Sequence, residues 1–457
     1  MADRLSPLDA SFLFMEEPTT AMHLGGLMTF DAPPGFDPDR FVALIGERLA
    51  AVPRYRQKVR DVPARLGLPV WVDDPAFELD YHVRRSALPA PGSDEQLREL
   101  VGRLQSRQLD RARPLWEIYL IEGLERDRFA IVTKTHHAMV DGLSSVDIGA
   151  VLLDVTPTPR ESPPDDWHPA PEPSALALAA GAVREQLIKP GVALGTAQRA
   201  ASDVGALVRT GGAMLAAVRS ASRPAPRGPL NAPIGSQRRF GTSAGALNDY
   251  KAIRKKHGGT VNDVILAVVT GGLRRWMTTR GEPVLVTTRV RALVPVSVRA
   301  RSSGGPLGNQ ISAYFVDLPV GEPDAVARLQ TVSAAMAGHK GSGQAIGASA
   351  LIGLFGLATP TVHSVGARLS SSMSSRVFNL IVTNVPGPQF PLYAMGARMR
   401  DVYPVVPLAK GQAVAIGITS YDGGVFYGLN ADRDAMGDVD VLAEAIGGSL
   451  VELRGTA

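Results

Sequence analysis

Apolar residues recur along the chain with two different spacings, and these spacings predict its elements. In Phe41–Val52 they return every three or four positions, as on one face of a helix, and Gln96–Leu109 repeats this pattern. Trp116–Glu122 and Arg128–Thr135 instead alternate apolar and polar residues, which is typical of strands. Leu143–Leu153 returns to the helical spacing. The first 155 residues therefore indicate one mixed α/β unit.

Prolines interrupt this pattern after residue 155. Thr156–Pro173 contains seven prolines, which fix φ and remove backbone donors, so neither helix nor sheet is expected to continue through it. Leu176–Ala221 is Ala-rich with a helical pattern, and a second Pro-rich run, Arg223–Pro233, follows it. We therefore expect an N-terminal half over 1–155, a crossover linker with helices over 156–238, and a C-terminal half over 239–457.

The C-terminal half contains predicted helices and strands in alternation. The predicted helices are Val261–Thr278, Asp324–Gly338 and Val439–Leu453. The predicted strands are Arg289–Val298, Asn309–Leu318, Val377–Val385, Gly411–Tyr421 and Val425–Asn430. No Gly-rich phosphate loop follows the first strand, which argues against a nucleotide-binding fold. The predicted class is α/β, with mixed sheets of the α+β kind.

Composition and charge exclude several classes of function. The formal net charge of +4 over 457 residues is too small to indicate a nucleic-acid partner. The absence of cysteine excludes disulfides, thiolate metal sites and a cysteine nucleophile. The first residues, Met1–Pro7, lack the apolar core of a secretory signal, so the expected location is cytoplasmic.

The most apolar stretch of the chain is Ala345–Val365. Glycine, proline, serine, threonine and histidine interrupt it too often for a spanning helix, which needs about 20 predominantly apolar residues. Two interpretations remain. The stretch is a buried or half-buried helix, or it forms a surface that touches lipid, centred on Ala345–Leu357.

Two adjacent histidines lie where a predicted strand meets a predicted helix. His136 and His137 end the strand, and Asp141 and Gly142 follow before the helix. Neighbouring residues of an extended chain point to opposite faces, so they rarely bind one metal ion, and no metal is expected. Metal binding is thus the first interpretation, and the second is that the two histidines have a structural role only. The third is catalytic, because an imidazole with a pKa near ~6.5 can remove the proton of an alcohol.

The pattern HHxxxDG resembles the active-site signature of the CoA-dependent acyltransferase superfamily, which peptide condensation domains share. Five further segments are similar to those of the bacterial wax ester synthase/diacylglycerol acyltransferase family, in the family's order. They are the block Leu5–Leu13, Glu16 followed by Met22–Leu27, the PLW motif Pro114–Trp116, the ND motif Asn262–Asp263 and the late block Thr383–Pro388. The resemblance covers about residues 5–450, and the linker matches least.

This resemblance implies a two-domain acyltransferase fold with the active site at the domain interface, reached by one channel for acyl-CoA and one for the alcohol. It implies an O-acyltransferase that makes triacylglycerol from diacylglycerol, or wax esters from long-chain alcohols. Acyl-CoA is then a co-substrate and no cofactor is expected. Because the acceptor is insoluble in water, we expect peripheral attachment to a membrane or lipid droplet. The oligomeric state is not predicted.

Two other functions fit the same motif. One is a related enzyme of the superfamily that esterifies a polyketide or sugar hydroxyl. The other is a lipid-droplet protein that keeps the fold without turnover.

Each residue of the motif is expected to have a different role. His137 is the expected general base, with direct attack on the thioester because the chain has no cysteine to form an acyl-enzyme. His136 is expected to support the motif. The resemblance implies that Asp141 turns away from the site and pairs with an arginine, for which Arg56 is the candidate. Gly142 is expected to permit a tight turn.

Other candidate residues lie outside the motif. Trp116 is expected to pack beneath the strand that carries the histidines. Asn262 fits either an oxyanion donor near the thioester or a helix cap. Asp263, Glu16 and Asn384 join it as candidate substrate-binding residues, and for Glu16 and Asn384 the sequence suggests no definite mechanism.

Overall fold

Within the described residues the protein forms three β-sheets with helices packed on them. The computed structural model describes residues 3–140, 148–162, 164–188, 224–297, 311–342, 346–347 and 374–457. The helices are α1 (Pro7–Met15), α2 (Pro38–Arg48), α3 (Leu79–His82), α4 (Asp94–Gln105), α5 (Ile148–Leu152), α6 (Ala175–Ile188), α7 (Leu247–His257), α8 (Val261–Thr279), α9 (Ala325–Ser342) and α10 (Val439–Arg454). The strands are β1 (Asp3–Arg4), β2 (His23–Asp31), β3 (Gln57–Arg60), β4 (Val70–Asp73), β5 (Val83–Ala87), β6 (Trp116–Leu124), β7 (Arg128–His136), β8 (Arg238–Ala246), β9 (Val290–Ser297), β10 (Ile311–Leu318), β11 (Ile346–Gly347), β12 (Leu380–Pro386), β13 (Tyr393–Ala394), β14 (Ala397–Val405), β15 (Val414–Tyr421) and β16 (Gly424–Asp432).

The strand that ends in the paired histidines lies inside the first sheet. The order of this sheet is β13–β14–β2–β7–β6–β5, and β7 is buried along its whole length. One face packs beneath α2, where Ile131 and Phe41 share a core, and the other beneath α4, where Val132 and Val101 share another. Because helices cover both faces, the end of β7 is held in a fixed place.

The second sheet has the order β11–β10–β9–β12–β15–β16–β8. Strand β12 runs parallel to β9 and β15, whereas the other pairs are antiparallel. Helices α8 and α10 pack closely together, since a Cβ on Gly272 of α8 would lie 2.6 Å from Ile446 of α10. Mixed sheets in two units with helices confirm the predicted fold class.

Strand β14 joins the two sheets, because it comes from the C-terminal half and pairs with β2 of the N-terminal half. It also packs against β15 and β16. Gly417 and Gly428 face each other across β15 and β16, and a Cβ on Gly428 would lie 2.0 Å from the carbonyl oxygen of Pro404 in β14. The predicted division into 1–155, 156–238 and 239–457 stays a prediction. Residues 393–405, however, lie in the sheet of the first half.

The first part of the predicted linker packs against the small sheet β1–β4–β3. Ala182 of α6 is buried with Val62, Val70 and Val72. The backbone N–H of Ala170 donates a hydrogen bond to the carboxylate of Asp73 (2.9 Å). Residues 189–223 of this linker lie outside the described residues.

Most predicted elements of the two halves are observed with shifts of a few residues at their ends. Several elements were not predicted, among them β2, β8, α7 and β14. Both β2 and β8 contain glycines within short runs of small residues, and their regularity comes from pairing with neighbours rather than from an alternating pattern.

Among the helices of the described residues, none has the length and apolar character needed to cross a bilayer. The apolar segment Ala345–Leu357 lies outside the described residues except for β11. Its two interpretations therefore stay predictions.

Candidate functional site

The end of β7 is fixed by backbone hydrogen bonds on both sides. The N–H of His136 donates to the carbonyl of Leu115 (2.9 Å), and the N–H of His137 donates to that of Met22 (2.8 Å). His137–Met139 then forms a short 3₁₀ turn. Consecutive residues of a strand point to opposite faces, so the two imidazoles enter different surroundings.

His136 is fully buried and acts as a support for the turn. Its Nδ1 accepts a hydrogen bond from the backbone N–H of Ala138 (3.0 Å), so in the neutral ring the proton lies on Nε2. Nε2 lies 3.8 Å from Oε1 of Glu16. Burial, followed by the charge of Arg111, lowers the pKa of His136 to about 3. His136 is therefore neutral at physiological pH, and its bond to Ala138 gives the expected supporting role a structural basis.

Glu16 connects the start of the chain to the supporting histidine. Its carboxylate accepts two hydrogen bonds from the guanidinium of Arg111 (2.6 and 2.9 Å). It also accepts a longer one from the backbone N–H of Met22 (3.4 Å), the residue whose carbonyl holds His137. The structure thus places Glu16 behind His136, as part of the scaffold of the motif. Arg111 was missed, because a single arginine in a loop carries no recognisable pattern.

His137 lies half-buried against α1. Its imidazole stacks on the ring of Phe12, with centroids 3.8 Å apart and planes inclined by 20°. Burial lowers its pKa to about 4, although a hydrogen bond with its own backbone and the negative charge of Asp9 act in the opposite direction. The ring is neutral near pH 7, and a neutral imidazole can accept a proton.

A buried charged network lies behind the motif on the same face of β7 as His136. The ammonium of Lys134 is fully buried and donates to the carbonyl of Leu104 in the last turn of α4 (3.2 Å) and to that of Arg107 just after the helix. It lies 3.7 Å from Glu117, which also accepts from the hydroxyl of Tyr119 (2.7 Å). Lys134 was not among the predicted site residues, since a lysine that alternates with apolar residues on a strand usually faces solvent.

Trp116 lies on β6, the strand that neighbours β7 in the sheet. It is fully buried, lies opposite Thr135 in the sheet, and its indole N–H donates to the carbonyl of Tyr55 (2.7 Å). Its ring stacks on His82 with centroids 4.6 Å apart. Burial lowers the pKa of His82 to about 4.

Arg56, the expected partner of Asp141, forms a bidentate contact with Asp165 of the linker (2.7 and 2.5 Å). Its guanidinium also lies over the ring of Trp167. Asp141 and Gly142 lie outside the described residues, so their predicted roles stay predictions. The contacts of Arg56 with Asp165 and Trp167 connect the N-terminal half to the linker.

The amide of Asn262 links α8 to β12, because its Oδ1 accepts a hydrogen bond from Nδ2 of Asn384 (3.0 Å). Two segments far apart in sequence are thereby brought together. The cap interpretation of Asn262 is corrected. Thr260 is the N-cap of α8 and accepts from the N–H of Asp263 (3.2 Å), whose carboxylate accepts from the N–H of Thr260 (2.8 Å). Asp263 is thus buried in a capping box.

Two family models match most of the chain. The wax ester synthase/diacylglycerol acyltransferase catalytic domain matches residues 5–265. The WS/DGAT C-terminal domain matches residues 307–454.

Relatives match the chain over nearly all or about half of its length. A Mycobacterium tuberculosis protein named probable diacylglycerol O-acyltransferase tgs1 is 32% identical over 453 residues, covering 99% of this chain and 96% of its own. The protein named tgs3 from the same organism is 43% identical over 263 residues, covering 56% of this chain and 97% of its own.

Solved structures share the fold. The wax ester synthase/diacylglycerol acyltransferase from Marinobacter aquaeolei superimposes with a TM-score of 0.70 at 28% identity, covering 99% of both chains. The first condensation domain of the calcium-dependent antibiotic synthetase gives a TM-score of 0.58 at 14% identity, covering 99% of this chain and 96% of its own. At that identity the second likeness concerns the fold alone.

Proposed function

The chain belongs to the wax ester synthase/diacylglycerol acyltransferase family, and from that premise we propose that this acyltransferase moves a long-chain acyl group from acyl-CoA to diacylglycerol. The product is triacylglycerol, with wax esters as the product where a long-chain alcohol takes the place of diacylglycerol. The observation that carries the proposal is the neutral, half-buried imidazole of His137 at the end of β7. It stands in the HHxxxDG pattern of the family.

The proposed reaction proceeds in one complex without an acyl-enzyme. His137 takes the proton of the acceptor hydroxyl while the hydroxyl oxygen attacks the thioester carbonyl carbon. The new C–O bond forms, the C–S bond breaks, and the imidazolium returns the proton to the departing CoA thiolate. A base in this role contributes about 10²–10⁴-fold in rate.

Supporting residues hold this base in place. His136 bonds the turn through Ala138, and Glu16 with Arg111 closes the far side of His136. Asn262 and Asn384 stay candidate polar contacts to the substrate, as a bonded pair of amides. Acyl-CoA is a co-substrate in this scheme and no other cofactor takes part.

An acyl-transfer assay tests the proposal. The purified chain is given radiolabelled long-chain acyl-CoA with diacylglycerol, a long-chain alcohol or no acceptor. We expect labelled triacylglycerol as the main product. His137→Ala should lower its formation about 10²–10⁴-fold without lowering the melting temperature comparably, whereas His136→Ala should retain more activity. Equal losses in two well-folded variants would contradict the division of roles between the histidines.

The same assay separates the alternatives. A preference for a sugar or polyketide hydroxyl would indicate a different acceptor class, and release of CoA without any acylated acceptor would contradict transfer to a lipid. Because diacylglycerol is insoluble in water, we propose reversible attachment to a membrane or droplet surface. Presenting the acceptor in phospholipid vesicles and sedimenting them shows whether the chain binds the surface.

A further inference from the structure

Most of the N-terminal block Leu5–Leu13 lies in α1 (Pro7–Met15), which packs directly on the histidine turn. Ser6 caps α1 by accepting from the N–H of Asp9 (3.1 Å), and its hydroxyl donates to Oδ2 of the same residue (2.7 Å). Asp9 and Phe12 are three residues apart, so they lie on the same side of α1. At the other end of the helix, Arg111 donates to the carbonyl of Leu13 (2.6 Å). The helix is therefore fixed at both ends.

Phe12 contacts the imidazole face to face. The centroid separation of 3.8 Å and inclination of 20° leave no room for the ring of His137 to turn out of its plane. The face of an aromatic ring carries partial negative charge, so it attracts a cation placed above it. His137 becomes such a cation each time it takes the proton of the acceptor.

Asp9 adds a full negative charge to the same surroundings. Its side chain is 4% exposed, so water screens its field only weakly. Its charge opposes the effect of burial on the pKa of His137. Asp9 therefore favours the protonated form of the imidazole, as Phe12 does.

We propose that α1 is a positioning element for His137, in which Phe12 fixes the plane of the imidazole and Phe12 and Asp9 together stabilise the imidazolium formed during acyl transfer. This inference rests on the proposed role of His137 as the base. During the step the proton passes from the acceptor hydroxyl to His137 and then to the CoA thiolate. The two residues of α1 exchange no proton themselves.

The first test replaces the aromatic ring. Phe12→Leu keeps most of the apolar volume and removes the π face, so kcat should fall about 5- to 30-fold with little change in KM for acyl-CoA. Phe12→Tyr keeps the ring and should restore kcat to near the wild-type value. The solvent deuterium isotope effect on kcat should rise in Phe12→Leu, because proton transfer then limits the rate more strongly.

The second test removes the charge. Asp9→Asn should lower kcat by a similar factor, and Asp9→Glu should recover part of it. Phe14→Leu is the matched control, because two positions further along a helix a side chain points roughly 200° away from Phe12. This control should leave kcat and the isotope effect unchanged.

The outcomes separate this inference from the proposed function. If His137→Ala is inactive while folded Phe12→Leu and Asp9→Asn keep the wild-type kcat and isotope effect, the proposed role of α1 is wrong. The proposed role of His137 as the base is then unaffected. If His137→Ala retains full activity, the proposed function itself fails. Equal losses in Phe12→Leu, Phe12→Tyr and Phe14→Leu, together with lower melting temperatures, would indicate a merely structural helix and overturn the inference.

Discussion

At the scale of single residues, several histidines are buried in the neutral form. Burial is the main reason why the pKa values of His23, His82, His136 and His137 lie below the ordinary value of a histidine. Each ring is held by specific partners. His23, for example, contacts the carbonyl of Gln105 through Nε2 (3.1 Å). Because these rings are buried in and around the site, their protonation affects the stability of the fold.

The depressed pKa values predict a loss of stability in mild acid. At His82, His136 and His137 the unfolded chain binds protons below about pH 6.5, whereas the folded chain does so only near pH 4 or pH 3, and the pKa of His23 is lowered in the same direction. The free energy of unfolding should therefore fall as the pH falls, by up to about 1.4 kcal/mol per pH unit for each such histidine once the pH is well below 6.5. Urea unfolding at several pH values from 7 to 5 measures the slope.

His82→Phe provides the control for this slope. A phenyl ring can keep the stack on Trp116 while removing one titrating group, so between pH 7 and pH 5 the slope should decrease by about 1 kcal/mol per pH unit. A free energy of unfolding that stays constant between pH 7 and pH 5 would contradict the neutral state of the buried histidines.

The sequence predicted some site residues better than others. His136, His137 and Trp116 stand in short local motifs, and residues next to each other in a motif stay neighbours in the fold. Arg111 and Glu16 are 95 positions apart, so only the folded chain shows that they meet. The role of Asn262 was ambiguous because a helix start needs a cap, and the structure gives that cap to Thr260.

At the scale of elements, the C-terminal end of α4 is attached to the strand behind the motif. Lys134 of β7 and His23 of β2 contact the carbonyls of Leu104 and Gln105. Terminal carbonyls of a helix lack partners within the helix and carry partial negative charge, so a buried ammonium there is favourable. Burial lowers the pKa of Lys134 to about 8, although the charge of Glu117 opposes this effect.

Lys134→Met should destabilise the protein strongly. It leaves the buried carboxylate of Glu117 with Arg84 (3.2 Å) but without its lysine partner. Breaking a buried pair typically costs about 3–5 kcal/mol in the free energy of unfolding, and we expect a loss toward the lower end of this range. Adding Glu117→Gln should recover part of this loss, as a double-mutant cycle in urea would show. Lys256→Met on the exposed side of α7 is the control and should change stability by less than about 0.5 kcal/mol. Equal effects of the two lysine substitutions would contradict the role of the buried pair.

At the scale of the whole molecule, the two sheets meet where glycines make room for β14. Gly428→Ala would place a Cβ 2.0 Å from the carbonyl oxygen of Pro404, so β14 and β16 must separate. We expect a loss of about 1–3 kcal/mol in the free energy of unfolding, as for other overpacked cores. Gly26→Ala is the matched control, since Gly26 lies opposite Pro404 in β2 and its nearest neighbour would be 3.7 Å away.

Thermal unfolding followed by circular dichroism compares the two glycine variants. A Gly428→Ala variant that melts at the wild-type temperature would contradict a tight junction between β14 and β16. A comparable loss in Gly26→Ala would show that alanine is poorly tolerated in these strands for another reason.

The general fold was predictable because most elements have clear local periodicity. Val261–Thr278 and Val439–Leu453 differ by one residue from the observed helices. The path of β14 was not predictable, because pairing between residues 25 and 405 depends on contacts across the whole chain. Local spacing indicates that a strand exists and does not indicate which sheet it joins.

The pairing of β14 with β2 also affects how the protein is made. After β7 leaves the ribosome, about 270 further residues must be synthesised before β14 can complete the sheet, which takes roughly 15–55 s at ordinary rates. During this interval the newly made N-terminal half carries β2 with one edge unpaired, and such an edge can bind other chains. During this period a chaperone, or expression at a low temperature, should increase the fraction of the nascent protein that reaches the native state.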